Sequence, residues 1–550
     1  MRLRWYLLVA CVIIAVALAG AATGRKAYQA QPRKQTVMLP MTDGVKLATD
    51  VYLPEGKGPF PTLFVRTTYN KDGLAGLGAE GPQKGYAVVV QDTRGRFASQ
   101  GENLPFETDG WWGGKRDGLD TVEWMAQQSW CGKIGTLGGS ALGITQLLLA
   151  GTGTKRVNAQ VIHVGGPRAY GDIVFSGGVF RKSLVEDWLR IALFSPDALK
   201  RWTVTDIYGG IWRERDLSLR YDRVNAAAVH VGGWYDIFAQ GTIDAFLGYQ
   251  KRGGPGARGR QKLIMGPWTH GIFQDKAGDL TFRNGKTPPG KARDQWAWFD
   301  HHLKGVNNGV DQDPAVTYYT MGDASDPKAP GNEWRTSTTW PPAGTRPKAY
   351  YFGADRSLGQ RKPASMGALS YVYDPRNPCP TTGGPQLTIP AGAKDQRQVE
   401  SRSDVLVFSS EPLQRPVEVT GRVTVRLYAS SDAPDTDFAA KLCDVYPDGR
   451  SFNVCEGILR ARFRKSFSKP ELMEAGKVYR FDVDLWSTSI AFNKGHRIRV
   501  LVTSSNAPGW DPNPNTGEPF RSSSRIRSAR NTIYVGGARA SHVVLPVMTR

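Results

Sequence analysis

Short apolar runs alternate with amphipathic stretches between about residues 37 and 299. Runs that are apolar on both faces occur at 61–66, 86–90, 133–137, 226–231 and 262–265. Such runs are typical of parallel strands covered by helices on each side, and the intervening segments include two with helical periodicity. The pattern predicts an α/β domain, which we place at residues 35–315.

The strand pattern lapses between about residues 167 and 222. Trp188, Trp202 and Trp212 occur there at helical spacings among charged residues. This change predicts a helical cap inserted over the sheet. Its aromatic side chains fill the core of the cap or line a pocket for an acyl group, and the sequence leaves both interpretations open.

From about residue 334 the texture changes to short alternating runs separated by Pro, Gly, Asn and Asp, and helical periodicity nearly disappears. This texture indicates an all-β domain. We predict a C-terminal β-sandwich of the jelly-roll kind at residues 334–550.

The first 25 residues form a separate segment. Arg2 and Arg4 precede an unbroken apolar run at 5–22, and small residues at 17–21, near the end of that run, offer cleavage patterns. These features are typical of a signal peptide, and the run is also just long enough for an N-terminal membrane anchor. In either case we expect an extracytoplasmic protein, secreted, periplasmic or membrane-anchored.

Composition narrows the class of protein. The 550 residues carry a net charge of +21, and 40% are hydrophobic while 22% are charged. These values fit a globular chain and exclude intrinsic disorder and a polytopic membrane protein. The basic residues are spread along the chain without a recognition motif, so we expect no nucleic-acid partner. The oligomeric state is left open.

The cysteines remaining after the leader are too few for a disulfide scaffold. Cys443 and Cys455 lie at equal distances from Gly449, so a hairpin there could place them opposite each other. We treat a disulfide and two buried thiols as alternatives of equal weight. No CxxC or Cys/His spacing suggests zinc, and we expect no metal or other cofactor.

One serine lies in a sequence context suited to nucleophilic chemistry. Ser140 follows Gly138-Gly139 between a predicted strand and a predicted helix, where a tight turn exposes a side chain at the top of the sheet. Leu142 stands where the usual G-x-S-x-G pattern has its last glycine, and Gly143 follows it. An ordinary glycine-rich turn is the alternative.

A serine nucleophile needs a base and a carboxylate to orient that base. His270 and Asp236 each follow a predicted strand, and the order Ser, Asp, His is the one that α/β-hydrolases use. We regard His163 as structural and Asp222 as the second choice of carboxylate. The backbone N–H of Ala141 and the hydroxyl of Tyr69 are candidate oxyanion donors, although a tyrosine buried in a turn would also fit that position.

These segments together make the chain recognisable. They resemble the cocaine esterase and X-Pro dipeptidyl-peptidase family of serine hydrolases in Gly139-Ser140 with Gly143, Gly233-Trp234-Tyr235-Asp236, Gly266-Pro267-Trp268-Thr269-His270 and Thr68-Tyr69-Asn70-Lys71. The resemblance spans nearly everything after the leader. It implies an α/β-hydrolase domain with a helical cap and a C-terminal jelly-roll. It also implies a Ser140, Asp236 and His270 triad with Tyr69 and Ala141 as oxyanion donors. Relatives commonly carry Tyr where this chain has Ala141.

We therefore expect an exported serine hydrolase that cleaves a small ester or amide through an acyl-enzyme. An X-Pro dipeptidyl-peptidase acting on short peptides is the alternative, and a catalytically silent carbohydrate-binding protein is a remote one. Peptidase activity would need acidic groups for a substrate ammonium. Glu186 and Asp187 could supply them, but adjacent acids on a helix are more often solvated.

Overall fold

The computed structural model describes residues 33–549, so the predicted leader at 1–25 lies outside the described residues. Strands of the first part of the chain are β1 (Arg33–Pro40), β2 (Lys46–Leu53), β3 (Phe60–Thr67), β4 (Ala87–Asp92), β5 (Cys131–Gly139), β6 (Val157–His163), β7 (Phe175–Ser176), β8 (Val179–Phe180), β9 (Ala227–Gly233), β10 (Gln261–Gly266), β11 (Lys276–Ala277), β12 (Leu280–Thr281), β13 (Val316–Thr320) and β14 (Glu333–Ser337).

Ten of these strands form one sheet in the order β1-β2-β4-β3-β5-β6-β9-β10-β13-β14. The seven strands from β4 to β13 run parallel, and antiparallel pairs close both edges. Because the carboxyl ends of the parallel strands share one edge, residues that follow β3, β5, β9 and β10 are brought together there. The predicted α/β class is confirmed.

The helices are α1 (Ala75–Gln83), α2 (Asp117–Ala126), α3 (Ala141–Gly151), α4 (Lys182–Ile191), α5 (Pro196–Trp202), α6 (Gly210–Glu214), α7 (Ala239–Arg252), α8 (Gln295–Lys304) and α9 (Arg397–Glu400). Successive residues of β3 pack against different helices. Phe64 shares a core with Val122 of α2, while Leu63 shares another with Phe299 of α8. Helices therefore cover both faces of the sheet, which explains why its strands are apolar on both faces.

The cap occupies the chain between β6 and β9. It contains a π-helical turn at Ala169–Val174, the β7-β8 hairpin and helices α4 to α6. Phe106 stacks on Trp188 at 5.8 Å between ring centroids, and Trp188 stacks on Trp202 at 6.1 Å. Trp212 is buried in the same cluster. Packing among these aromatic rings holds the short cap helices in place.

Strands of the last part are β15 (Thr345–Phe352), β16 (Leu358–Gly359), β17 (Gly367–Tyr373), β18 (Leu406–Ser409), β19 (Val417–Ser431), β20 (Asp437–Val445), β21 (Ser451–Arg460), β22 (Tyr479–Phe492), β23 (Arg497–Thr503), β24 (Ala529–Val535) and β25 (His542–Met548). They form a seven-stranded sheet and a four-stranded sheet. Phe352 of one sheet stacks on Phe408 of the other at 4.2 Å between ring centroids. The two sheets therefore face each other across a shared core, as a β-sandwich does.

The large sheet continues past residue 315, where we ended the first predicted domain. After α8 the chain returns as β13, which pairs with β10 in parallel, and β14 then adds an antiparallel edge strand. The sequence pattern concealed β13, because a short Val-Thr-Tyr-Tyr-Thr run carries little periodicity. The sandwich strands begin with β15.

The disulfide alternative for Cys443 and Cys455 is wrong in this structure, where both thiols are free and buried. The hairpin forms as expected, but its register pairs Leu442 with Cys455 and Cys443 with Asn453. A shift of one residue turns a side chain to the other face of a sheet. Accordingly, Cys443 and Cys455 belong to different core clusters.

Candidate active site

Ser140 lies at the sharp turn between β5 and α3. Its backbone has φ 57° and ψ −124°, a conformation that is strained for any residue with a side chain. Glycines permit the turn, because a Cβ on Gly138 would come within 2.5 Å of Leu142 and one on Gly143 within 2.9 Å of the His163 carbonyl oxygen. The Ser140 N–H donates to that same carbonyl at 3.0 Å. Gly143 stands one residue later than the last glycine of the usual G-x-S-x-G pattern. Its lack of a side chain lets the start of α3 pack closely against the end of β6.

His270 and Asp236 are joined by a short hydrogen bond. The Nδ1 of His270 lies 2.6 Å from Oδ1 of Asp236, and the backbone N–H of Phe238 donates to Oδ2 at 3.0 Å. Asp236 is fully buried and His270 is 7% exposed. With Nδ1 held by the carboxylate, Nε2 is the nitrogen left to exchange a proton with another group.

Tyr69 stands across from Ser140. Its hydroxyl oxygen accepts a hydrogen bond from Nε1 of Trp188 at 2.8 Å, which leaves its own hydrogen to be donated elsewhere. Burial raises the pKa of Tyr69, although hydrogen bonds with Trp188, Thr68 and Ser140 oppose the increase. The hydroxyl therefore keeps its proton at neutral pH and can act as a donor. Ala141 begins α3, so its N–H lies at the positive end of the helix dipole.

Ser140 lies where two cavities meet. A narrow cavity under the cap is lined by Ser140 and Ala141 and by apolar side chains, namely Phe106, Ile144, Ile173, Leu184, Val185, Trp188, Trp202, Ile237, Phe238 and Leu387. A larger cleft is lined by Ser140, Tyr69, His163 and His270 among others. The structure thus brings the predicted site residues to one place.

Other residues considered from the sequence lie elsewhere or are already paired. Glu186 forms ion pairs with Lys182 at 2.8 Å and Arg521 at 2.6 Å. Asp187 pairs with Arg190 at 3.0 Å. Neither acid is among the lining residues of the two cavities.

Two contributions were not found from the sequence. Trp188 belongs to the cap core and also lines the cavity, so both interpretations of the cap aromatics hold for it, but its hydrogen bond to the Tyr69 hydroxyl was not predicted. His163, which we regarded as structural, lines the cleft. No signal in the pattern distinguishes these side chains, because each has the spacing of an ordinary core residue.

Between residues 33 and 549, no three His, Cys, Asp or Glu side chains gather as ligands for an ion. No helix within the same range is long and apolar enough to cross a bilayer.

Two protein-family models match this sequence. The X-Pro dipeptidyl-peptidase (S15 family) model matches residues 43–200 and 194–272. The model of the X-Pro dipeptidyl-peptidase C-terminal non-catalytic domain matches residues 308–544. Together they cover both the α/β part and the β-sandwich.

Individual relatives match this chain over nearly its full length. Cocaine esterase of Rhodococcus sp. (strain MB1 Bresler) is 33% identical over an alignment that covers 94% of this chain and 98% of that protein. A solved α-amino acid ester hydrolase is 26% identical with a TM-score of 0.79, over 96% of this chain and 99% of the other. An aminopeptidase from the marine sediment archaeon Thaumarchaeota archaeon shares the fold with the same TM-score and coverage at 23% identity. This chain is a serine hydrolase and belongs to the family of cocaine esterase and the X-Pro dipeptidyl-peptidases.

Proposed function

We propose that the chain hydrolyses an acyl ester or amide through an acyl-enzyme formed on Ser140. The observation that carries the proposal is the hydrogen bond between His270 and Asp236 in a cleft that Ser140 and Tyr69 also line. A serine becomes nucleophilic when an oriented imidazole takes its proton. The strained turn at Ser140 supports this role, because it holds the hydroxyl out of the helix.

In the first step Nε2 of His270 accepts the proton of Ser140, and Oγ forms a bond to the substrate carbonyl carbon. The C–O or C–N bond to the leaving group then breaks, and His270 returns the proton to that group. Water attacks the acyl-enzyme in the same way and frees Ser140 with release of the acid. Asp236 holds the imidazole in the tautomer that both steps need.

The carbonyl oxygen becomes negatively charged in both tetrahedral intermediates. We assign its stabilisation to the Tyr69 hydroxyl and the Ala141 N–H. Tyr69 is suited to this role because the Trp188 N–H holds its hydroxyl oxygen in place and burial keeps the hydroxyl protonated. Donors fixed before the reaction lower the barrier without any cost of reorienting them.

The cap cavity supports an uncharged, apolar acyl group. Its lining contains no carboxylate to neutralise a substrate ammonium, and the nearby Glu186 and Asp187 are already ion-paired. Burying an unpaired ammonium there would be costly. This favours ester or amide hydrolysis over X-Pro dipeptidyl-peptidase activity, which remains the second candidate because the S15 family model matches the chain.

Initial rates on a nitrophenyl ester of a short-chain acid and on Gly-Pro nitroanilide separate the two candidates. We expect hydrolysis of the ester alone, with at least about a 10³-fold loss in Ser140→Ala. Turnover of the anilide would move the assignment to dipeptidyl-peptidase. A third result would favour the catalytically silent binding protein. In that case the wild-type protein would hydrolyse neither compound, and it would bind a carbohydrate with an affinity that Ser140→Ala leaves unchanged.

The covalent step has its own test. Rapid acid quench of a slowly deacylated ester should add the acyl mass to the peptide that contains Ser140. Label on another residue, or none under conditions of steady turnover, would contradict the acyl-enzyme route.

We further propose that the chain is exported, on the strength of Arg2, Arg4 and the apolar run at 5–22. Fractionation of cells expressing the full chain should place esterase activity outside the cytoplasm, in a soluble fraction if the leader is removed and in the membrane if it is retained. Deleting residues 1–25 should confine the activity to the cytoplasm. Activity that stays cytoplasmic with the full chain would contradict export.

A further inference from the structure

The two cavities that meet at Ser140 serve different halves of the substrate. Because His270 must return a proton to the leaving group, that group has to lie on the side of Ser140 where His270 is found. His270 lines the larger cleft and is absent from the lining of the cap cavity. If the proposed function holds, the acyl group occupies the cap cavity and the leaving group occupies the cleft.

The lining of the cleft indicates what kind of leaving group it accepts. Apolar walls come from Val65, Leu74, Leu77, Leu137 and Leu142. Polar atoms come from Thr67, Asn70, Gln295 and His163, and the lining includes no Asp, Glu, Lys or Arg. A neutral group with an apolar body and a hydrogen-bonding substituent therefore fits, whereas a charged group would lose solvation without gaining a partner.

His163 is distinctive among these polar residues. Its backbone carbonyl accepts a hydrogen bond from the N–H of Ser140. The contact that holds the Ser140 turn against β6 therefore comes from the backbone of His163 and does not use the imidazole. Within residues 33–549 the structure gives its ring nitrogens no hydrogen-bond partner, and the ring makes an edge contact with Phe273 at 6.0 Å between centroids. Burial lowers the pKa of His163 to about 4. The ring is therefore neutral near pH 7 and has one donor and one acceptor nitrogen.

We propose that His163 is a leaving-group-binding residue, whose imidazole forms a hydrogen bond with a polar substituent of an uncharged leaving group in the cleft beside Ser140. The proposal rests on the proposed function and extends it from the reaction to the substrate. It predicts a preference among esters that differ only in the leaving group. The chemistry at Ser140 does not by itself require such a preference.

The test uses two butyrate esters, of 3-acetylphenol and of 3-isopropylphenol, which share the short acyl chain of the nitrophenyl ester proposed above. The acetyl and isopropyl substituents have nearly the same shape, but only the acetyl group carries a hydrogen-bond acceptor. The measured quantity is the ratio of kcat/KM for the two esters, in which the acyl group cancels. His163→Phe, which keeps a ring but removes both nitrogens, should lower this ratio about tenfold, the value of one neutral hydrogen bond. His163→Gln should recover part of it.

Two controls separate binding from a change in the fold. His542→Phe makes the same substitution at a histidine in the β-sandwich and should keep the wild-type ratio. Deacylation of the acyl-enzyme occurs after the leaving group has departed, so its rate constant reports whether Ser140 and His270 are still intact in each variant. A His163→Phe protein that folds poorly can be replaced by His163→Leu in the same assay.

The outcomes are distinct. A lower ratio in His163→Phe with partial recovery in His163→Gln supports the proposal. An unchanged ratio, or a parallel loss for both esters, overturns it and leaves the proposed function standing. Failure of the wild-type protein to hydrolyse either ester would overturn the proposed function, and the role of His163 with it.

Discussion

Within residues 33–549 the structure holds two buried histidines that are paired with carboxylates, one in each half of the molecule. In the α/β half, Nδ1 of His270 lies 2.6 Å from Asp236. In the β-sandwich half, Nδ1 of His496 lies 2.8 Å from Asp444, and its Nε2 lies 3.2 Å from Asp323. In both pairs an aspartate contacts Nδ1 of the histidine. The two pairs differ at Nε2, which a second carboxylate contacts only in His496.

This difference separates a pair suited to catalysis from one suited to stability. His270 lines a cleft beside Ser140, so its second nitrogen has access to a substrate. His496 is 1% exposed, and carboxylates occupy both of its nitrogens. A histidine held by an aspartate is therefore not evidence of catalysis in itself. The informative observation is a second nitrogen that faces a cavity.

The largest effect should come from the orienting carboxylate of the α/β half. Asp236→Asn should lower kcat for ester hydrolysis about 10⁴-fold, because the amide stabilises the tautomer that cannot take the Ser140 proton. Thermal unfolding should change little. The measurement is single-turnover acylation beside a melting curve. A loss below about tenfold would mean that Asp236 is not the carboxylate that orients the base.

The matching change in the sandwich should act on stability instead. His496→Gln leaves Asp444 and Asp323 buried without their cationic partner, so we expect the free energy of unfolding to fall by about 3 kcal/mol. Hydrolysis per folded molecule should stay within about twofold of wild type. Denaturant titration and active-site counting give the two quantities. An equal loss of activity and stability would show that the two pairs are not separable in this way.

The free nitrogen of His270 is useful only with a stabilised oxyanion opposite it. Tyr69→Phe removes the hydroxyl while keeping the ring, and it should lower kcat about 10²-fold, with a smaller change in KM. Trp188→Phe serves as the comparison variant, since it leaves the tyrosine in place but removes the N–H that holds its oxygen. A Tyr69→Phe protein with unchanged kcat would assign the oxyanion to other donors.

The smallest effect is the pH dependence of the stability that the His496 pair contributes. Burial alone would lower the pKa of His496, but its hydrogen bonds and the charges of Asp444 and Asp323 outweigh burial and raise it above 6.5. Its stabilising contribution is thus complete below pH 6.5 and is lost as the pH rises through the raised value. The measurement is the unfolding free energy of wild type minus that of His496→Gln as a function of pH. A difference that grows as the pH rises would contradict this assignment.

Much of the fold could be predicted from local pattern alone. The central strands are buried on both faces and read as continuous apolar runs, and the switch to alternating runs marked the sandwich. The strand β13 was missed because its five residues carry too little periodicity, and the catalytic sheet therefore extends further than the pattern indicated. The bounds of such a short strand are set by its pairing with strands that are distant in the sequence.

The candidate site depended on more than pattern. Ser140, Asp236 and His270 each follow a strand, but their grouping came from chain order and from resemblance to a family. The register of Cys443 and Cys455 could not be obtained in this way, since an irregularity after Leu442 sets it. The same holds for Trp188 and His163, whose roles depend on which cavity they face. Side-chain direction arises from tertiary packing, which spacing along the chain does not encode.

The backbone of Ser140 has a consequence for the history of such a chain. At φ 57° glycine would be the least strained residue, so serine is kept there at a cost of about 1 kcal/mol or more in folding free energy. A descendant released from selection for hydrolysis would gain stability by exchanging this serine for glycine. A serine-to-glycine substitution at position 140 would thus indicate that hydrolysis had been lost while the fold was still unchanged.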